Sequence, residues 1–150
     1  MNTGTLTTAQ AIIGAWDLRS FTIEGEDGSV TFPFGEDAQG SIIYTASGRV
    51  SAQVMRRGRP IFNDQDQMNG SDDEITTSFK GCISYYGSYE IDEQAGFVAH
   101  KVEGSLFPNW QGGVQKRFYV LSENQLTLSS PPTLWGGGKI VAVLVWQRIV

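Results

Sequence analysis

Gly14-Ala15-Trp16 near one end of the chain and Trp146-Gln147-Arg148 near the other constrain the fold most. Both segments read as strands, the first and the last of the chain. A strand opening Gly-x-Trp and a final strand ending in Arg can close a small up-and-down barrel. The Trp plugs the narrow end and the guanidinium lies across its ring, combining cation–π attraction with hydrogen bonding in a dry site. A barrel closed this way has one sealed end and one open mouth, a shape that holds a small apolar ligand.

The rest of the sequence fits that frame. Its 150 residues include 18 glycines, are 11% aromatic and only 18% charged, a balance that suits a turn-rich β protein. Strands are predicted over 15–24, 29–32, 40–45, 49–55, 85–92, 97–105, 115–121, 125–129 and 139–148. Their regular spacing indicates a sandwich or barrel in one domain spanning 1–150. Glu26-Asp27-Gly28 and Ala46-Ser47-Gly48 are turn signals. Thr7 with Gln10 forms a capping box, which predicts a short N-terminal helix over the sealed end. Ser71 with Glu74 forms a second, with acids in the first turn where the helix dipole favours them. Ile75, Phe79, Cys82 and Ile83 follow at helical spacing, predicting about three turns between the fourth and fifth strands with Cys82 on the core face. Residues 56–70 lack any period and read as a surface loop.

Composition excludes several function classes. The net charge of −5 gives no basic footprint for nucleic acid. No apolar run is long enough for a membrane span. The lone cysteine cannot form an intramolecular disulfide, and the first residues lack the basic start and apolar run of a secretory signal, so the expected location is cytoplasmic. One His and one Cys offer no metal-ligand spacing. There is no Gly-x-Ser-x-Gly elbow, and Gly136-Gly137-Gly138 precedes a strand, not the helix a phosphate cradle needs. No cofactor and no metal are expected.

Side-chain alternation sorts the candidate site residues. With Trp16 inside, Leu18, Ser20 and Thr22 share its inward face. His100 lies with Val98, Val102 and Gly104, and Arg117 with Tyr119 and Leu121. On 49–55 one face carries Ser51, Gln53 and Met55, the other Val50, Ala52 and Val54. Periodicity leaves open which of these faces the cavity. His100, the only histidine, is the candidate acid or base, with Tyr44 and Arg117 to polarise a carbonyl or bind an oxyanion. Candidate ligand contacts are Gln53, Met55, Tyr86, Val102 and Tyr119 on strands, with Asn109 and Trp110 on a Gly-rich loop. Trp135, on a second such loop, is a further candidate for the rim. Glu103 is a weak candidate for a carboxylate at the mouth. Arg56, Arg57 and Arg59 form a basic cluster best read as a solvated loop.

These residues resemble the lipocalin-like domain proteins of bacteria and fungi, within the calycin superfamily. The resemblance rests on Gly14-x-Trp16-x-Leu18, Pro33-Phe34-Gly35, Gly40-x-Ile42-x-Tyr44, Gly48-Arg49-Val50-Ser51-x-Gln53 and Tyr86-Gly87-x-Tyr89. Its most specific block is His100-x-Val102-Glu103-Gly104-Ser105-x-Phe107-Pro108-Asn109-Trp110, and it ends with Arg117, Leu126-Thr127-Leu128 and Trp146-x-Arg148. It covers nearly the whole chain. It implies an all-β, lipocalin-like (calycin) up-and-down antiparallel barrel of 8–9 strands around a central cavity, with a short N-terminal helix and one helix midway. It does not by itself decide function.

Two functions remain in view. One is a carrier or sequestering protein for a small hydrophobic molecule. The other is a cofactor-free isomerase, cyclase or lyase of natural-product metabolism, using His100 and the same cavity. The expected partner is a small hydrophobic ligand or substrate, with a homodimer as a further possibility.

Overall fold

The computed structural model describes residues 6–150. Ten antiparallel strands follow one another in the chain: β1 (Gly14–Gly25), β2 (Val30–Thr31), β3 (Gln39–Tyr44), β4 (Arg49–Met55), β5 (Cys82–Asp92), β6 (Phe97–Ser105), β7 (Val114–Leu121), β8 (Gln125–Ser129), β9 (Thr133–Trp135) and β10 (Gly138–Arg148). Sheet neighbours run β2-β1-β3-β4-β5-β6-β7-β8-β10-β9, and β1 also pairs with β10. That last pairing closes a barrel of eight strands, with β2 and β9 as short flaps outside the ring. Closure leaves no long open edge, the standing liability of a β sheet.

The two helices start where the capping boxes place them. Thr7 accepts from the Gln10 backbone and Gln10 reaches back to Thr7, opening α1 (Thr8–Ala11). Ser71 and Glu74 do the same for α2 (Asp72–Lys80). The second helix is shorter than the spacing predicts. It stops at Gly81, so Cys82 is not a helix-face core residue but the first residue of β5, half-buried. The apolar face of α2 is also incompletely covered, with Ile75 50% and Phe79 44% exposed. Residues 56–70 form the expected loop. Arg56, Arg57 and Arg59 pin it by donating to the carbonyl oxygens of Pro33, Asp37 and Ser78.

Trp16 and Arg148 are cross-strand partners, and the guanidinium carbon lies 4.2 Å from the Trp16 ring centre. Arg148 also donates to the carbonyls of Ala11, Ile13 and Glu123. The Trp16 indole donates to Ile12 O at 2.9 Å. Strand ends, α1 and the β8 connection are thus tied at one point, and the barrel is sealed there. The opposite end carries α2, β9 and the loop holding Trp110.

Two irregularities decide which side chains face inward. The β1–β10 register shifts between Leu18 and Ser20. The bulge inserts one residue, so Phe21, buried to 1% exposure, follows Trp16 and Leu18 into the core. Ser20 and Thr22, expected inside, are displaced from that face. A second shift falls between Tyr86 and Gly87, where β5 crosses β6 closely. A Cβ at Gly87 would run into the Lys101 carbonyl, so this position admits only glycine. On β4 the inner face is Val50, Ala52 and Val54, all buried.

Candidate functional site

The polar centre of the barrel is built on β3, β5, β6 and β7. His100 on β6 is 1% exposed. Its Nε2 lies 2.7 Å from the Tyr44 hydroxyl, and its Nδ1 lies 2.7 Å from the Tyr85 hydroxyl. Burial pushes the imidazole down to about 3, with the Arg117 charge adding to the effect. His100 is therefore neutral at physiological pH, and both of its nitrogens are committed to tyrosines. Burial likewise raises both phenols, Tyr44 well above the ordinary tyrosine value, while the neighbouring Arg117 partly offsets it.

A neutral imidazole has one N–H and one bare nitrogen, so the chain of three residues has a direction. Tyr44 is 1% exposed, and its hydroxyl has no polar partner besides His100. If Nε2 carried the proton, the Tyr44 O–H would point into apolar core with nothing to bond, at a cost of about 1–3 kcal/mol. The satisfied arrangement has Tyr44 O–H donating to Nε2 and Nδ1–H donating to Tyr85 Oη. That leaves the Tyr85 O–H free to donate elsewhere. Tyr85 lines a cavity.

This inner cavity holds about 70 Å³ and is lined from all eight strands of the barrel. Tyr85, His100, Gln115, Arg117, Ser130, Thr133 and Trp146 supply its polar groups, and the remaining lining is largely aliphatic. A larger vestibule of about 490 Å³ adjoins it at the mouth. Ile83, Trp110, Thr133, Leu134 and Trp135 line both spaces, which together make up the recess. Aromatic rings dominate the vestibule: Phe34, Phe79, Phe107, Trp110 and Trp135. Trp110 packs edge-on against Tyr85 at 5.8 Å and against Phe107 at 5.6 Å. The rim thus contacts the polar centre directly.

Of the residues singled out from the sequence, His100, Tyr44 and Arg117 do come together. Arg117 and Trp110 reach the recess, and Tyr44 sits behind His100 on the sealed side. Val102 is buried core, 3% exposed, and does not line the recess. Tyr119 faces inward at the sealed end, where its hydroxyl reaches Thr8 Oγ1 at 3.4 Å. Gln53 and Met55 lie on the outer face of β4, because Val50, Ala52 and Val54 take the inner one. Gln53 donates to Ser51 there, and the Met55 sulfur lies beside Arg59. Tyr86 is 52% exposed on the outer face, next to Gly104. Asn109 is on the surface of the short turn Pro108–Trp110 and does not line the recess. Glu103 is outside, paired with Arg49.

Sequence reasoning passed over Tyr85 in favour of its neighbour Tyr86. The signal was present: three small apolar residues at alternate positions of β4 mark its inner face, and register places Tyr85 opposite Ala52. Gln115 and the indole of Trp146 were also missed as cavity groups. Among the described residues no cluster of His, Cys, Asp and Glu is suited to a metal, and no helix is long and apolar enough to cross a membrane.

Comparison with known proteins adds two findings. The model of the lipocalin-like domain family matches residues 13–149. A 4'-hydroxy-3'-methoxypropiophenone carrier protein of Aspergillus oryzae is 31% identical over 107 residues, covering 67% of this chain and 96% of that protein.

Proposed function

Because the chain belongs to the lipocalin-like domain family, we propose that it is a carrier for a small hydrophobic molecule bound in the open end of the barrel. The observation that carries this reading is the aromatic vestibule of about 490 Å³ adjoining the inner cavity, with five residues lining both. Ligand sites of this kind are concave, mostly apolar and given orientation by a few polar groups. The vestibule suits a ring system, and the narrow inner cavity suits a substituent of a few atoms. The similarity to a protein named as a carrier supports the same reading. The acid–base form of the enzymatic alternative requires a group free to exchange a proton with the ligand; a cyclisation driven by cavity shape alone does not. His100, neutral and bonded at both nitrogens, is not such a group.

The test is a fluorescence titration with a panel of fused-ring and monocyclic aromatic ligands. Trp110 and Trp135 lie in the recess wall, so saturable quenching is expected. Trp110→Ala should weaken binding by roughly tenfold, the effect of losing one well-packed aromatic contact. Ligand recovered after long incubation should be chemically unchanged. Conversion of a bound compound would replace the carrier reading with the enzymatic one, and absence of quenching across the panel would end both.

A further inference from the structure

No Asp or Glu among the described residues lines the inner cavity or the vestibule, although the chain as a whole carries a net charge of −5. Arg117 is half-buried and belongs to neither of the two ion pairs among the described residues, Arg49–Glu103 and Lys101–Glu90, which are both at the surface. Its contacts are neutral: NH1 donates to Lys116 O at 3.0 Å, and NH2 donates to Gln115 Oε1 at 3.1 Å. These fix the guanidinium in place beside the Tyr85 hydroxyl, with which it also interacts, and all of its partners are neutral.

Two more donors face the same space. The Tyr44–His100–Tyr85 chain leaves the Tyr85 O–H without an acceptor. Trp146, 1% exposed, lines the cavity, and its indole N–H has no partner at all. A buried donor without an acceptor is uncommon and calls for an explanation. Here a cation, a hydroxyl and an indole line one small volume that holds no carboxylate, the neutral groups beside them being His100, Gln115, Ser130 and Thr133.

We propose that the inner cavity is an oxyanion subsite, in which Arg117, the Tyr85 hydroxyl and the Trp146 indole N–H hold an anionic oxygen carried by an otherwise apolar ligand. This rests on the carrier reading and adds the chemical class of the cargo: a ring system bearing a carboxylate, phenolate or enolate. The anion supplies the countercharge that Arg117 lacks and the acceptor that Trp146 lacks. The apolar body fills the vestibule between Trp110 and Trp135. His100 and Tyr44 act at one remove, as positioning residues that turn the Tyr85 O–H toward the ligand.

A matched pair of probes tests this: naphthalene-2-carboxylate and its neutral methyl ester, titrated at pH 7.5 by tryptophan quenching. The wild-type protein should bind the carboxylate at least about tenfold more tightly, the scale of a charge-assisted hydrogen bond. Arg117→Met and Tyr85→Phe should each remove most of that preference while leaving ester binding within about twofold. Arg117→Lys should keep part of it, since the charge remains and the fork geometry is lost. Should Arg117→Met fail to fold, Arg117→Lys and Tyr85→Phe carry the comparison. If carboxylate and ester bind equally to the wild type, the oxyanion subsite is refuted and the carrier reading stands. A preference that survives both Arg117→Met and Tyr85→Phe also refutes it. If neither probe binds, the oxyanion subsite is refuted, and the carrier reading rests on the wider panel.

Discussion

His100 should make this protein acid-sensitive in a pH range where most proteins are indifferent. The unfolded chain takes up a proton on His100 below its ordinary value of 6.5, whereas the folded state resists until about 3. Folding stability is therefore complete above pH 6.5 and is lost as the pH falls from 6.5 toward 3. At about 1.4 kcal/mol per unit, the loss reaches about 2 kcal/mol by pH 5 and about 5 kcal/mol by pH 3. Two facts make the assignment clean. His100 is the only histidine, and the shifted carboxylates Asp27, Asp64 and Glu74 are all held below their ordinary values, so they titrate lower. Urea unfolding monitored by tryptophan fluorescence at pH 7.5, 6.5, 5.5 and 5.0 gives the slope. His100→Gln supplies the comparison, since an amide does not titrate. The variant should be less stable than the wild type at pH 7.5, because its amide does not reproduce the geometry of the two tyrosine bonds. Its stability should be nearly flat between pH 6.5 and 5.0. Equal slopes in the two proteins would show that His100 takes up its proton in the folded state, and the buried neutral relay would be wrong.

The other two predictions concern the ends of the barrel. Arg148→Met should destabilise the fold by about 2–4 kcal/mol, the combined scale of a desolvated cation–π contact and charged hydrogen bonds to three carbonyls, measured by denaturant unfolding; a change below about 0.5 kcal/mol would deny the clasp. The Cys82 thiol lines the vestibule and burial raises its pKa, so alkylation by iodoacetamide at pH 7.5 should be slow and slower still with saturating ligand. Unaltered kinetics with ligand bound would place the ligand away from the mouth.

Architecture was legible because its determinants are local. Turn glycines, alternating strands and the two capping boxes each act within a few residues, and the Trp16–Arg148 clasp could be read because both residue types are specific to that contact. The interior was less legible because face assignment accumulates errors of one residue. The bulge after Leu18 exchanged Ser20 and Thr22 for Phe21, and nothing in the residues from Trp16 to Thr22 marks it. On β5 two adjacent tyrosines offered no local reason to choose Tyr85 over Tyr86. Only the register against β4 separates them. Gln53 and Met55 looked like ligand contacts because polar and flexible residues on a barrel strand fit a cavity wall. The small apolar triplet beside them was the better guide, since crowded interiors select for size. Helix α2 was extended too far because Cys82 and Ile83 continue its period by chance, while Gly81 ends it. The loop between Pro131 and Gly138 hid β9, three residues too short to show a pattern.

The clasp at Trp16 and Arg148 also sets where the protein can be handled. The first and last barrel strands end side by side at the sealed pole, with Ile149 donating to Ala15 O just past the final strand. The recess opens at the other pole. A tether attached at Ile149 therefore hangs from the base of the cup and leaves its rim unobstructed. Immobilised in that orientation, the barrel keeps its recess facing the solution.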